Sequence, residues 1–332
     1  MKKIKVAQIG TSRYSHGNDI WCTLCRNDDL FEVAGYAFPE NEREKFPEKM
    51  AAFEGYSEMT VDEILNDSSI EAVVVETEEI YLTKYATMVA SAGKHLHMEK
   101  PGGVNLSDFE NLINILKSKK SVFSVGYMYR FNPVIRKTIE RIKSGEFGKI
   151  FSVEAQMNCK HDEKQRKWLA DFPGGMMFFL GCHLIDLIYT IQGEPEQVIP
   201  CNCSTGIDDI HTEDCGMVVF KYKDGVSFAK TSDNESGGFL RRQLVISGEK
   251  GSIEVKPLEC FVPEGMCTYF YETKETLDWV KPWDKGKSEP YNRYDAMIRN
   301  FAKLIRGKEN LYSYDYELNL YKLILKSCEK EV

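Results

Sequence analysis

The sequence predicts an α/β protein of two domains, in which a doubly wound parallel sheet is followed by an α+β domain with a largely antiparallel open sheet. Three observations support this fold class. The chain has 332 residues, more than one hydrophobic core usually organises. Strand and helix patterns alternate in the first part of the chain, and after Gly126 strands follow one another across short turns. We therefore place the first domain in residues 1–125 and the second in residues 126–332.

Strands and helices alternate in the first domain. Short β-rich runs predict strands at Lys3–Gly10, Phe31–Phe38, Ala72–Val75, His95–Met98 and Val122–Gly126. Amphipathic segments between them predict helices at Asn18–Arg26, Glu40–Phe53, Tyr81–Ala92 and Leu106–Ser118. Strands joined through crossover helices form a parallel sheet, so this domain is predicted to be of the Rossmann type.

The second domain lacks this alternation. A helix is expected at Asn132–Ser144 and a buried apolar helix at Met176–Ile191, which contains charged residues and is too short for a membrane span. Turn signals separate strands predicted at Gly148–Met157, Met217–Tyr222, Val226–Thr231, Leu240–Ser247 and Gly251–Lys256. Two amphipathic helices, Tyr294–Arg306 and Glu317–Lys330, close the chain.

Composition and charge favour a small ligand and a reducing compartment. The net charge is -8 and no basic stripe occurs, which argues against nucleic acid or an anionic membrane as the partner. No secretory signal pattern accompanies the 10 cysteines, so we expect reduced thiols and a cytoplasmic location. Cys22 and Cys25 form a C-x-x-C pattern inside a helix, a poor context for redox activity. Other pairs, such as Cys159 with His161, are scattered, and no metal site is predicted.

The turn after the first strand is where a Rossmann domain binds a pyrophosphate. Gly10 matches the first glycine of G-x-G-x-x-G, but Ser12 and Ser15 occupy the other two positions. After the second strand, Glu40 is the carboxylate available for ribose hydroxyls. A Rossmann-like domain without a nucleotide is the alternative reading of these turns.

A lysine follows the fourth strand, in Glu99-Lys100-Pro101, at the sheet edge where open α/β sheets bind ligands. With this tripeptide, several motifs in the same order along the chain resemble the glucose-fructose oxidoreductase and inositol dehydrogenase family, Gfo/Idh/MocA. These are Gly126-Tyr-Met-Tyr-Arg-Phe-Asn-Pro133, Ser144-Gly-Glu-Phe-Gly-Lys-Ile150, and Pro173-Gly-Gly-Met-Met-Phe-Phe-Leu-Gly-Cys-His-Leu-Ile-Asp186.

The resemblance implies an NAD(P)-dependent oxidoreductase that acts on a hydroxyl or carbonyl of a sugar, polyol or sugar derivative. It implies that Lys100 and His183 are catalytic and face each other across one crevice. The cofactor is expected to be NAD, with NADP as the alternative, and Glu40 disfavours a 2′-phosphate. The cofactor-binding residues it implies are Gly10, Thr11, Ser12, Glu40, Thr77, Glu99, Lys100 and Arg130. The substrate residues are Lys100, Trp168, His183 and Asp186, and no metal is implied.

The sequence also departs from the family pattern. Phe179 stands where many members have an aspartate four residues before the histidine, and Leu82 stands where a histidine often occurs. Glu76, Glu78 and Glu79 add negative charge near the expected pyrophosphate. Two other functions therefore stay open: glycoside cleavage through transient oxidation by bound NAD, without net redox change, and a non-catalytic dinucleotide or ligand sensor.

Three further side chains have two readings each. Trp168 either stacks on substrate or packs in the core. Arg241 and Arg242, in a predicted strand, either touch substrate or are solvated at a strand edge, the second being the plainer reading. The open sheet would expose a wide face, so we expect a homodimer or homotetramer assembled through it.

Overall fold

The computed structural model describes residues 2–278 and 283–329, and the chain divides into two compact units. Unit 1 contains the described residues up to Tyr127 together with Tyr294–Tyr321. Unit 2 contains Met128–Arg293 and the described residues from Lys322 onward. The sequence placed everything after residue 125 in the second domain. The structure groups Tyr294–Tyr321 with unit 1 instead, because that segment packs there: the Phe301 ring lies 5.7 Å from the His97 ring.

The strands and helices of the described residues are numbered in chain order. The strands are β1 Ile4–Ile9, β2 Phe31–Ala37, β3 Ala72–Val75, β4 His95–Met98, β5 Phe123–Val125, β6 Ile150–Asn158, β7 Gln197–Cys203, β8 Cys215–Tyr222, β9 Gly225–Ser232, β10 Gln243–Gly248, β11 Gly251–Val255, β12 Cys260–Val262, β13 Gly265–Cys267, β14 Tyr269–Lys274 and β15 Asp284–Lys287. The helices are α1 Gly17–Arg26, α2 Glu42–Lys45, α3 Val61–Asn66, α4 Leu82–Ser91, α5 Leu106–Lys119, α6 Pro133–Lys143, α7 Glu163–Trp168, α8 Cys182–Gln192, α9 Asp295–Ile305 and α10 Tyr314–Ser327. Lys330, the last residue of a predicted helix, lies outside the described residues.

Unit 1 is built on a parallel sheet of order β2-β1-β3-β4-β5, which confirms the predicted Rossmann-type architecture. Every residue of β3 is buried, as expected for a strand covered on both faces. The strand order reverses between β1 and β3, and the loops after these two strands leave from the same sheet edge. In such sheets ligands bind at this switch point.

One predicted helix of unit 1, Glu40–Phe53, is wrong as a single element. The helix α2 ends at Lys45, and a 3₁₀ run follows at Pro47–Phe53. Pro47 lacks a backbone N–H and disfavours helical backbone at Phe46, whose φ is -131°. The sequence analysis also missed α3, although Thr60 and Glu63 form a capping box at its start.

Unit 2 contains a sheet of order β15-β14-β11-β10-β6-β9-β8-β7. Its neighbouring strands are antiparallel except β6 and β9, which run parallel, so the predicted largely antiparallel sheet is confirmed. The apolar segment predicted at Met176–Ile191 forms a π-helical stretch, Met177–Gly181, that continues into α8. Within residues 2–278 and 283–329, no helix has the length and apolarity needed to cross a bilayer.

Candidate functional site

The loop after β1 makes a close approach to the loop after β3. Gly10 has a φ of 85°, and a Cβ added there would lie 2.6 Å from the backbone nitrogen of Thr77. A side chain at position 10 would therefore separate the two loops. The structure thus brings together two residues predicted to bind cofactor, Gly10 and Thr77, at the switch point of the sheet.

A carboxyl group of the protein holds this loop. The backbone N–H of Thr11 donates to Glu42 Oε2 at 2.9 Å. Burial raises the pKa of Glu42 to about 8, and the negative charge of Glu78 adds to the increase. The carboxyl is therefore mostly neutral at pH 7. Glu42 was not predicted from the sequence, because it is remote in sequence from the loop that it contacts.

Buried polar atoms without partners lie along the same sheet edge. Ser12 Oγ, Thr77 Oγ1 and both carboxyl oxygens of Glu76 have no hydrogen-bond partner among the described residues. All three residues have 0% exposure. Burying such atoms costs free energy unless a ligand or water bonds to them. These atoms, with the tight turn at Gly10, fit the phosphates and ribose of a dinucleotide. Binding of a phosphate at the Thr11 N–H would require its hydrogen bond to Glu42 to break.

Glu40 lies just beyond β2 and is already hydrogen-bonded. Its Oε1 accepts from Lys84 Nζ at 2.6 Å and from Tyr85 Oη at 2.7 Å. The bond from Lys84, followed by that from Tyr85, holds the pKa of Glu40 below its ordinary value. Glu40 is therefore a fixed carboxylate at the end of the second strand, where the sequence analysis placed a ribose-binding group.

Glu99 and Lys100 follow β4 and are both buried, at 4% and 3% exposure. Lys100 Nζ lies 3.5 Å from Glu99 Oε1. Burial raises the pKa of Glu76, and raises that of Glu79 to about 7, while the Lys100 charge opposes both increases. A Cβ at Gly126 would lie 2.6 Å from Glu99 Oε2, so the glycine leaves room for this carboxyl. The lysine thus lies among buried acids.

In unit 2, His183 lies on the first turn of α8 and is 3% exposed. The Tyr129 ring meets the His183 ring edge-on, with centroids 5.1 Å apart. Tyr129 Oη donates to Glu259 Oε1 at 2.7 Å. Glu259 also accepts from Arg293, with Nε 2.8 Å from Oε2. A buried ionic network therefore fixes the ring that packs on the histidine.

Asp186 is paired with Arg130. Arg130 Nε donates to Asp186 Oδ1 at 2.9 Å, and Nη2 of the same arginine lies 2.7 Å from that oxygen. Both side chains are almost fully buried. Arg130 was predicted to bind the cofactor and Asp186 the substrate, whereas in the structure the two side chains form an ion pair with each other.

Trp168 and Phe179 belong to one aromatic cluster. Their ring centroids are 5.0 Å apart, and Trp168 also meets Phe172 edge-on at 4.5 Å. Trp168 is 9% exposed and Phe179 4%. Phe179, at the position of the usual aspartate, therefore packs on aromatic neighbours. Trp168 is packed among the same rings, as expected for a core residue.

The plainer reading of Arg242 is wrong. Arg242 is buried, and its Nη1 lies 3.4 Å from both Tyr129 Oη and Glu259 Oε1. The predicted strand Leu240–Ser247 begins at Gln243, so Arg242 precedes it and turns toward the buried carboxylate. Arg241 is exposed and pairs with Glu235, as solvation at the surface predicts.

Two family models together match most of the chain. The NAD-binding Rossmann fold of the Gfo/Idh/MocA oxidoreductases matches residues 4–127, and the family's C-terminal domain matches residues 135–254. The chain belongs to the Gfo/Idh/MocA family. The two matched ranges include Lys100 and His183, which belong to motifs that resemble the family.

Relatives of this Gfo/Idh/MocA protein are oxidoreductases. An uncharacterized oxidoreductase of Schizosaccharomyces pombe is 29% identical over 62% of this chain and 58% of its own length. The oxidoreductase YhhX of Escherichia coli is 30% identical over 46% of this chain and 44% of its own. Myo-inositol 2-dehydrogenase of Thermotoga maritima is 22% identical over 68% of each chain. The chain thus matches only about half the length of the first two relatives.

Solved structures show the same fold. The 3-ketoreductase KijD10 of Actinomadura kijaniata, solved with NADP and TDP-benzene, superposes with a TM-score of 0.78 at 16% identity, covering 97% of this chain and 96% of that one. UDP-N-acetylglucosamine 3-dehydrogenase of Acidithiobacillus ferrooxidans superposes with a TM-score of 0.75 at 18% identity, covering 99% and 98%. At these identities the likeness concerns the fold of the family.

The two cysteines of the C-x-x-C pattern, Cys22 and Cys25, lack the lowered pKa of an activated thiol. Cys22 and Cys25 both lie inside α1. Burial raises the pKa of both thiols above the ordinary value, and the charge of Asp19 adds to the increase at Cys22. A reactive redox cysteine needs the opposite shift, because the thiolate is the nucleophile.

Proposed function

We propose that this protein is an NAD(P)-dependent dehydrogenase that oxidises a hydroxyl group, or reduces the corresponding carbonyl, of a sugar, polyol or sugar derivative. The observation that carries the proposal is the buried Lys100 at the carboxyl end of β4, in a domain of the NAD-binding family type. A buried ammonium at this sheet edge can bond the reacting oxygen of a small alcohol. Relatives named as dehydrogenases of a polyol and of a nucleotide sugar support the substrate class.

The residues of the chain have separate tasks in this reaction. When bound, the nicotinamide ring supplies the hydride acceptor or donor. Lys100 hydrogen-bonds the reacting oxygen, and the imidazole of His183 takes up or returns the hydroxyl proton. Arg130 neutralises Asp186 on the helix that carries the histidine, so the pair orients His183 rather than touching substrate.

A substrate screen with matched variants tests the proposal. We expect NADH or NADPH formation with at least one polyol or sugar, and a fall in kcat of about 10²–10⁴-fold in Lys100→Ala and His183→Ala. The exposed residues Lys149 and His211 provide the controls Lys149→Ala and His211→Ala, which should keep full activity. Unchanged turnover in His183→Ala would remove the histidine from the mechanism.

The contact of Glu42 with the Thr11 amide favours one competing function, a non-catalytic sensor, because the amide is engaged by the protein itself. Calorimetry separates the two functions. Failure to bind either dinucleotide, or tight binding without turnover of any sugar or polyol, would favour the sensor. Release of a sugar aglycone without accumulation of NADH would instead identify glycoside cleavage through transient oxidation.

NAD is the proposed cofactor. The Glu40 carboxylate beyond β2 would repel the 2′-phosphate of NADP, although some structural relatives bind NADP. We expect NAD to bind more tightly than NADP, and Glu40→Ser to reduce the difference. A wild-type preference for NADP would contradict this choice.

The proposed setting is a homodimer or homotetramer in the cytoplasm that acts on a small carbohydrate-like molecule, with neither nucleic acid nor membrane as partner. The net charge of -8 supports the absence of a polyanionic partner. The assembly would use the open face of the unit 2 sheet.

A further inference from the structure

Three side chains with metal-binding atoms converge in unit 2, outside the residues proposed for the redox reaction. Cys159 and His161 follow β6, and Asp233 follows β9. Cys159 Sγ lies 3.5 Å from His161 Nδ1 and 3.2 Å from Asp233 Oδ1, and His161 Nδ1 is in direct contact with that same carboxylate oxygen. The ligand atoms of these three described residues all lie within 4.8 Å of one another, close enough to bind one metal ion.

The backbone that carries these side chains is firmly paired. The strands β6 and β9 are parallel neighbours in register at Asn158 and Ser232, so their ends lie side by side. The N–H of Cys159 donates to Ser232 O at 2.9 Å, and that of His161 to Asp233 O at 3.1 Å. The three ligands therefore come from a preformed edge of a sheet, which lowers the entropic cost of assembling a metal site.

The atoms are arranged for coordination and not for nucleophilic catalysis. In a Cys-His-Asp triad the imidazole lies between thiol and carboxylate and uses its two nitrogens, one for each. Here a single atom, His161 Nδ1, is next to both Sγ and Oδ1, and Sγ is also next to Oδ1, so the three donor atoms are mutual neighbours. Zinc bonds of about 2.3 Å to sulfur and about 2.0 Å to nitrogen and oxygen separate neighbouring ligands by about 3.3–3.5 Å. The two distances from Sγ are already close to this separation, and bonds to the ion would replace the direct contact between His161 Nδ1 and Asp233 Oδ1.

Asp233 provides a second indication of a ligand. Its side chain is fully buried, and Oδ2 has no hydrogen-bond partner among the described residues. Oδ1 of this carboxylate contacts His161 and Cys159, but a second oxygen buried without a partner is costly, and a cation bound by the carboxylate would offset that cost. His161 retains 23% side-chain exposure, which gives an ion a route to the site.

We propose that Cys159, His161 and Asp233 bind one Zn²⁺ ion, with a water molecule as fourth ligand. A thiolate, an imidazole and a carboxylate form a donor set that suits zinc, and three protein ligands with a fourth position open to water are found in catalytic zinc sites. The ion replaces the thiol proton, which passes to solvent, and it binds the neutral imidazole through Nδ1 with the ring proton on Nε2. The thiolate and the carboxylate then balance the charge of the metal.

The site lies beside the network that fixes Tyr129. Arg242 Nε lies 3.4 Å from the carbonyl oxygen of Asn158, the residue before Cys159, and its Nη1 lies 3.4 Å from Tyr129 Oη. The proposal does not depend on the dehydrogenase activity, and a failed substrate screen leaves it unaffected.

Metal binding by the full chain tests the proposal. After chelation and dialysis, we expect calorimetry with Zn²⁺ to give one site per chain, and Co²⁺ to give a thiolate-to-cobalt charge-transfer band with the intense d–d bands of a four-coordinate ion. Cys159→Ser and His161→Asn should each weaken Zn²⁺ binding by at least about 100-fold, since loss of an outer-shell partner alone costs 10–100-fold. Cys203→Ser and His211→Asn are the matched controls and should bind as the wild type does.

The contrary results are equally definite. Less than one zinc per chain in the wild type, or a charge-transfer band that persists in Cys159→Ser, would overturn the assignment. Thermal unfolding shows whether each variant is folded. If Cys159→Ser fails to fold, His161→Asn and the wild-type cobalt spectrum decide, because the half-buried imidazole can be replaced with little loss of packing.

Discussion

The Glu42 carboxyl accepts a hydrogen bond from the backbone N–H of Thr11, in the turn after β1. In a Rossmann domain the amides of this turn bind a pyrophosphate. Because burial raises its pKa to about 8, the carboxyl is mostly neutral below pH 8 and mostly negatively charged above pH 8. A neutral carboxyl can be displaced by a phosphate oxygen, whereas the anion both competes for the N–H and repels the ligand. Dinucleotide affinity should therefore fall as the pH rises through this pKa.

Replacement of Glu42 tests that argument directly. We expect NAD affinity of the wild type to fall about tenfold between about pH 7 and about pH 9, and Glu42→Gln to remove most of that fall. The exposed Glu44 on the same helix gives the control Glu44→Gln, which should keep the wild-type pH dependence. Calorimetric titration at the two pH values measures the effect. Equal slopes in wild type and Glu42→Gln would show that the carboxyl does not oppose the pyrophosphate.

Glu259 is the residue on which the Tyr129 network depends. It is 1% exposed and neutralises two arginines, Arg242 and Arg293. Glu259→Gln removes the carboxylate that neutralises the buried Arg242 and the partly buried Arg293, so the free energy of unfolding should fall by about 3–5 kcal/mol. The exposed Glu264→Gln should change it by less than about 0.5 kcal/mol. Urea unfolding followed by circular dichroism compares the variants, and a loss in Glu259→Gln no larger than in the control would mean that water compensates the arginines.

Sequence motifs identified the candidate residues that belong to a local pattern. Lys100 after a strand and His183 in Gly181-Cys-His-Leu-Ile-Asp186 are examples, and the structure places Lys100 directly after β4 and His183 in a helix, as predicted. Glu42, Glu259 and Asp233 were not found, because each acts through a partner brought near by folding and not by sequence spacing. Asp233 meets Cys159 only because β6 and β9 pair, and that pairing is parallel where antiparallel neighbours were expected.

At the scale of elements, α1 is anchored by Trp21. The side chain has 0% exposure, and its ring lies 4.8 Å from that of Phe53 and 5.5 Å from that of Tyr36. The contact with Phe53 ties α1 to the 3₁₀ run after Pro47. The helix, the second strand and the irregular segment therefore share one aromatic core.

Truncation of Trp21 should loosen all three elements. Trp21→Ala leaves a large cavity and should lower the free energy of unfolding by about 3–5 kcal/mol. The neighbouring Cys22 is exposed on the same helix, and Cys22→Ala should cost less than about 0.5 kcal/mol. Chemical unfolding monitored by circular dichroism gives both values. A cost near that of the control would indicate that the cavity collapses without loss.

The predicted strands of unit 1 agree closely with the structure because each is a compact apolar run between clear turn signals. The bounds of β3 and β4 were predicted without error. The segment after β2 was predicted as one helix, because its apolar residues have helical spacing on both sides of Pro47. That spacing does not show that the helix ends before the proline. The strands β12 to β15 were missed for a related reason: they are short or partly exposed, and their alternation is weak.

At the scale of the whole molecule, the unit 2 sheet has one covered and one open face. Val218, Phe220 and Ala229 point to the buried side. Ile199, Met217 and Val226, on neighbouring strands, alternate to the other side and are 41%, 38% and 53% exposed. An apolar surface of this kind on a broad sheet is typical of an interface between subunits.

A charge placed on that face should dissociate the assembly. Phe228 lies on β9 and faces the open side, opposite Val219 on β8. We expect the wild type to be a dimer or tetramer by light scattering and Phe228→Asp to shift it toward monomer, because a carboxylate buried in an apolar interface lacks a partner. Leu240→Asp, at an exposed site outside the strands, is the control and should keep the wild-type mass. A monomeric wild type would refute the interface, and an unchanged mass in a folded Phe228→Asp would place it on another surface.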